Sequence, residues 1–194
     1  IDSTDITANL LNLGFGTEVS ANSYSQSTAV ATWTLTGVSV SADAALTITA
    51  GVRDDAGNKV ETTGTIIGDT TAPYVSSVNI YNQTENSYSS VGHGAAMTIT
   101  ATVEDTNKAI ITVQDITANL LDLGFGTIIS ADSYDQATGI ATWQAALASL
   151  TSVSQDGTLT VTVSLKDDAG NYSTENTGTI IGDTTGPTLV TVNI

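Results

Sequence analysis

The stretch from Asp5 to Trp33, DITANLLNLGFGTEVSANSYSQSTAVATW, returns at Asp115 to Trp143 as DITANLLDLGFGTIISADSYDQATGIATW, with 21 of 29 positions identical. Two shorter blocks return with it: DDAGN at Asp54–Asn58 and Asp167–Asn171, and GTIIGDTT at Gly64–Thr71 and Gly178–Thr185. The offset grows from 110 at Asp5/Asp115 to 113 at Asp54/Asp167 and 114 at Gly64/Gly178, so every length change falls between matched blocks. A period near 110 residues is the size of one small domain and far too long for a solenoid turn. The chain therefore has to be one fold printed about twice.

Laying the copies over each other puts Ile1 on Ile111, so residues 1–70 form a partial domain without counterparts of the first two strands of the second copy. The linkers DTTAP (Asp69–Pro73) and DTTGP (Asp183–Pro187) mark the boundaries, since proline cannot donate to a ladder. A complete domain is expected over 71–185, and 186–194 reads as the first strand of a third repeat or as a donor strand. Because Ile1 starts within a repeat, the chain reads as part of something longer and shows no signal peptide.

The complete copy divides into short extended runs. Tyr74–Tyr81 alternates with one irregularity, and Met97–Val103 alternates cleanly with Met97, Ile99, Ala101 and Val103 on one face. Ala109–Leu123 is a third run, broken near Asp115–Asn119, and Gly124–Gly126 turns into a fourth, Thr127–Ala131. The fifth, Ile140–Ala145, carries Trp143. Ala145–Ser154 has helical as well as extended readings. Thr158–Leu165 and Thr177–Ile181 are the sixth and seventh. Seven short strands rich in Thr, Val and Ile, with turn signals between them, predict an all-β fold of tandem immunoglobulin-like β-sandwich domains.

If those strands run alternately up and down, the start of the first and the ends of the second and sixth share one pole. Asp69, Glu104, Asp105, Asp167, Asp168 and Asn171 would then converge. Such an oxygen-only set suits calcium rather than zinc, so one calcium ion or two is the predicted cofactor. Gly57 and Gly170 allow the tight turn that brings Asn58 or Asn171 back to the aspartates. Asp54, Asp55 and Asn58 form the matching set of the first copy, incomplete without second-strand partners. The plainer alternative is that DDAGN is only a hairpin turn, since turns use these residues anyway.

Strand, D(D)AGN, strand, DTTAP and strand in that order resemble the tandem bacterial and archaeal immunoglobulin-like repeats of large cell-surface proteins, including surface-layer proteins and adhesin stalks. The likeness covers essentially the whole chain. It implies extracellular modules arrayed end to end, stabilised by calcium and without catalysis. Heavy Thr and Ser use with strong acidity is similar to surface-layer proteins in particular.

Charge agrees with that direction. Twenty acids against four Lys and Arg give a net charge of −16, which excludes a nucleic-acid or anionic-membrane surface and favours cations as partners. Cysteine is absent, and no run of eighteen apolar residues would insert into a membrane. Catalysis has one histidine, His93, in a glycine-flanked loop without a supporting motif. Adjacent Glu104 and Asp105 point to opposite faces of a strand and do not flank a substrate bond. Trp33 and Trp143 read as core pivots rather than a sugar platform, and Tyr24 and Tyr134 as surface loop residues. Asn82 opens the sequon Asn82-Gln-Thr84 and is a glycosylation candidate, whereas the Asn171 sequon overlaps the metal set.

The expected function is a non-enzymatic structural module of a stiff, acidic, calcium-clamped cell-surface layer or filament, with neighbouring copies or adjacent repeats as partners. The alternatives are an adhesin stalk or ligand-binding module using loops Asn82–Gly94 or Ser130–Gly139 on sugars or proteins, and a filament subunit assembled by strand exchange.

Overall fold

The computed structural model describes residues 1–40, 42–105, 111–144, 153 and 156–191, and divides the chain into units Ile1–Thr70 and Thr71–Ile194. The chain is all-β. In the first unit β1 (Ile6–Asn9), β2 (Val19–Ser20), β5 (Ala44–Arg53) and β6 (Lys59–Gly68) make a sheet of order β2-β1-β5-β6, and β3 (Ser23–Ser25) pairs with β4 (Val30–Thr32). The second unit adds β7 (Tyr74–Asn82), β8 (Ser90–Val91) and β9 (Met97–Glu104) before it repeats that set as β10 (Ile116–Asn119), β11 (Ile129–Ser130), β12 (Ser133–Asp135), β13 (Ile140–Trp143), β14 (Gly157–Leu165) and β15 (Asn176–Gly182). Its sheets have orders β11-β10-β14-β15-β8 and β12-β13-β9-β7.

The alternation read in β9 and β14 is that of strands buried on one face: Met97, Ile99, Ala101 and Val103 face inward, as do Leu159, Val161, Val163 and Leu165. Between the sheets they enclose Trp143, whose indole N–H donates to Ile129 O at 2.9 Å. The irregularity in the first strand is a β-bulge at Ser76, where the β7–β9 register slips between Val75 and Ser77.

The third and fourth runs fold differently from expectation. The supposed break at Asp115–Asn119 is itself strand β10, and the run ends after it in a 3-10 turn at Leu121–Leu123. Asn119 Oδ1 accepts the Leu121 N–H at 3.1 Å, and Gly124 closes the turn at φ 85°. This corner buries Leu120 and Leu123 and exposes Leu121, so the leucine cluster is a turn with two inward anchors. Next, the chain leaves one sheet after Ser130 and enters the other at Ser133 with Ala131 buried between, so the expected fourth strand is reduced to β11 and the expected loop Ser130–Gly139 holds the additional strand β12. Tyr134 consequently stands on a strand and packs against the core rather than in a loop.

Among the described residues, Thr188–Thr191 form no strand, so the donor or third-repeat strand is not seen there. Residues 192–194, Ala109 and Ile110 of the third run, and all of the ambiguous Ala145–Ser154 segment except buried Val153 lie outside the described residues.

The first unit has the same corner and hairpin, with a thinner interior. Ala8, Leu10 and Leu13 are its buried cluster, while Trp33, Leu46, Ile48 and Ala50 are only part-buried around it. Among its described residues no counterpart of β7 or β9 is found.

Candidate metal centre

Strand β14 alternates to its last residue, Leu165, and then hands the chain to a turn built by DDAGN itself. The Asp167 N–H donates to Asn171 O and the Gly170 N–H to Asp167 O, both at 3.1 Å, with Gly170 at φ 95°. The Asp167 carboxylate receives the Asn171 backbone N–H on Oδ1 and the Asn171 side-chain amide on Oδ2, each at 2.8 Å. An aspartate capping its own turn in this way is ordinary Asx chemistry. Burial is not ordinary, because Asp167 is only 1 % exposed.

Antiparallel pairing of β7 with β9 sets Tyr74 opposite Glu104, so the entrance of β7 lies beside the exit of β9. Asp69 precedes that entrance and Asp105 follows that exit. One carboxylate oxygen from each of Asp69, Asp105 and Asp167 lies within 4.8 Å of the others. Oxygens held by one calcium ion at about 2.3–2.6 Å are separated by at most about 5 Å, so the three fit a common ion. At this spacing and an effective dielectric of about 20, two ionised carboxylates repel by about 3 kcal/mol, which a divalent cation would offset. Calcium would take the remaining positions from carbonyls and water.

Three of the six expected residues thus meet. Glu104 closes β9 half-buried and Asp168 is exposed, and neither belongs to the group. Asn171 serves it by holding Asp167 through its amide. In the first unit Asp54 and Asn58 make the same turn, with both Asn58 nitrogens 2.8 Å from the Asp54 carboxylate. These bonds, the side-chain amide first, hold the Asp54 carboxyl below the usual carboxylate range. Asp54 and Asp55 are exposed, and among the described residues no group of three acids gathers around them.

Sequence reasoning passed over another pair of aspartates. Asp156, just before β14, accepts the Thr184 N–H and hydroxyl at 2.6 Å each on Oδ1, and the Thr185 hydroxyl on Oδ2. The threonine hydroxyls, Thr184 first, lower its carboxyl to about 2. Asp43 grips Thr70 likewise, at 2.5 and 2.7 Å. Their spacing of 113 equals that of Asp54 and Asp167 and is their mark in the sequence, although neither sits within one of the matched blocks.

Asn82 organises its loop: its Nδ2 donates to Ser90 O at 2.9 Å while Oδ1 accepts the Thr84 and Glu85 N–H groups. The nitrogen a glycan would take is therefore engaged in a side chain only 1 % exposed. His93 is exposed in a turn of the same loop.

No protein-family model matches the chain, and no curated protein matches it. Among the described residues no helix is long and apolar enough to cross a membrane.

Proposed function

We propose that this chain is a non-enzymatic structural module of an extracellular tandem-repeat protein, each repeat an immunoglobulin-like sandwich, and that calcium held by Asp69, Asp105 and Asp167 stiffens the array. The convergence of three carboxylates from segments far apart in sequence carries the reading. An ion there would tie the linker before β7 to the ends of β9 and β14, adding its binding free energy to the folded state by mass action. The surface-layer or filament setting rests on the repeat and on the net charge of −16, with neighbouring copies or adjacent repeats as partners.

Thermal unfolding of the chain with calcium and with chelator, at fixed ionic strength, tests it. The expected result is a midpoint raised by several degrees in calcium at about 100-fold above its dissociation constant, equivalent to about 2.7 kcal/mol. Asp167→Ala and Asp105→Ala should each abolish the calcium response. An identical midpoint with and without calcium would reduce DDAGN to a turn and remove the metal from the account.

A further inference from the structure

The outward face of the sheet that holds each long hairpin carries a feature that neither the turn nor the metal centre uses. In the second unit Thr117 stands opposite Ser164 and Asn119 opposite Thr162, at successive outward positions of β10 and β14. These four side chains floor a cleft of about 320 Å³, walled by Thr127 and Ile128 on one side and by Glu175, just before β15, on the other. That is the small end of ligand pockets, which run from about 300 to 1,000 Å³. The first unit has the matching cleft, of about 410 Å³, with Thr7, Asn9 and Thr49 in the floor and Thr17 and Glu61 in the walls. Glu61 lies in a stretch that differs between the copies, KVETT against STENT, yet returns there as Glu175.

The lining sets what the cleft can hold. The hydroxyls of Thr117, Thr162 and Ser164 both donate and accept, and Asn119, whose Oδ1 takes the Leu121 N–H at 3.1 Å, keeps its amide hydrogens for a ligand. Among the described residues no base and no aromatic ring lines it, so it offers nothing to an anion or to a flat apolar ring. Hydroxyls and an amide around a single carboxylate match a hydroxyl-rich molecule that carries one positive charge.

The first unit shows where such a charge sits. Lys59 lies across its cleft: Nζ is 2.6 Å from Glu61 Oε1, and a Cβ on Gly51 would stand 2.9 Å from Lys59 Cε. In the second unit Ser173 takes the place two residues before the glutamate, and its hydroxyl accepts the Leu165 N–H at 2.9 Å. Lys166 is turned over the Tyr172 ring, 5.5 Å from its centroid. Among the described residues Glu175 has no ion pair, so this cleft is the one left open to a cation.

We propose that the cleft over β10 and β14 binds a saccharide that carries a free amine, with the ammonium on Glu175 and the ring hydroxyls on Thr117, Asn119, Thr162 and Ser164. Lys59 fills the matching cleft of the first unit from within the chain, so the repeat carries one open and one self-occupied copy of the same site. The site lies outside the metal centre and stands or falls without it.

The test is an amide-resolved NMR titration of the Ile1–Ile194 chain with glucosamine, at a pH where its amine is charged, beside glucose and methylamine. Glucosamine should shift the amides of Thr117, Thr162 and Ser164 saturably and leave those of Thr7 and Thr49 unmoved. Glucose should bind about tenfold more weakly for want of the charge-assisted hydrogen bond, and Glu175→Gln, at an exposed position, should bring glucosamine down to the level of glucose. Lys59→Ser should make Thr7 and Thr49 respond as well. The proposal is overturned by the lack of any saturable shift, by shifts indifferent to Glu175→Gln, or by an equal response of both units in the parent chain. Methylamine matching glucosamine would equally overturn it, by reducing the site to an exposed carboxylate that attracts any cation.

Discussion

Gly64 and Gly178 occupy one repeat position in two environments, which makes the same substitution a measurement of what lies opposite. At Gly178 an added methyl would meet the Val78 carbonyl oxygen at 2.7 Å and the Val78 Cβ at 3.1 Å. These are not the far end of a flexible side chain, so β7 or β15 must shift, and overpacking of this kind costs about 1–3 kcal/mol. At Gly64 the methyl finds open space, and removing a strand glycine stabilises by about 0.5–1 kcal/mol. Gly178→Ala and Gly64→Ala should therefore differ by about 1.5–4 kcal/mol with opposite signs. For units of this size each kcal/mol moves the midpoint by roughly 3–6 °C. Urea unfolding, with each unit followed by its own tryptophan (Trp143 or Trp33) after replacing the other with Phe, resolves the two transitions. Equal effects at the two glycines would refute the claim that the β7 crossing explains Gly178 and leaves Gly64 open.

The tryptophans should separate in the same way: Trp143 is fully buried and Trp33 only part-buried, so Trp143→Ala should cost about 3–5 kcal/mol and Trp33→Ala clearly less, with Trp143 emitting at the shorter wavelength. Asp156 gives a pH signature. Its folded carboxyl is lowered to about 2 from an ordinary 3.8, so the stability it contributes is fully present above pH 4 and is lost as pH falls towards 2. Asp156→Ala should accordingly be destabilising at neutral pH and approach the parent chain near pH 2, as followed by urea midpoints across that range.

The repeat, the all-β character and the clean strands β9 and β14 were legible because period-two alternation reports burial on one face directly. DDAGN was equally legible as a turn, since Asp167 and Asn171 complete it within five residues, and Asp54 and Asn58 do so even on an exposed surface. What stayed hidden depended on the third dimension. Leu120 and Leu123 look like strand residues until Asn119 and Gly124 bend the backbone into a corner, and no periodicity marks the change of sheet between Ser130 and Ser133. The site divided along the same line. Which pole gathers acids followed from strand direction, but Glu104 and Asp168 fell outside because pleat and turn geometry, invisible in composition, decide which carboxylates point together.

The grip of Asp156 on Thr184 and Thr185, and of Asp43 on Thr70, has a consequence for how the long hairpins come apart. A β-hairpin ordinarily frays from its open end, where the two strands part and backbone amides exchange with solvent first. Here the Asx turn seals one end of β14–β15, and the aspartate-to-threonine clip joins the chain just before β14 to the chain just after β15. The clip in the first unit, between Asp43 and Thr70, does the same for β5–β6. A hairpin fastened at both ends has no free edge from which to unzip, so its amides open together and the whole ladder behaves as a single cooperative element.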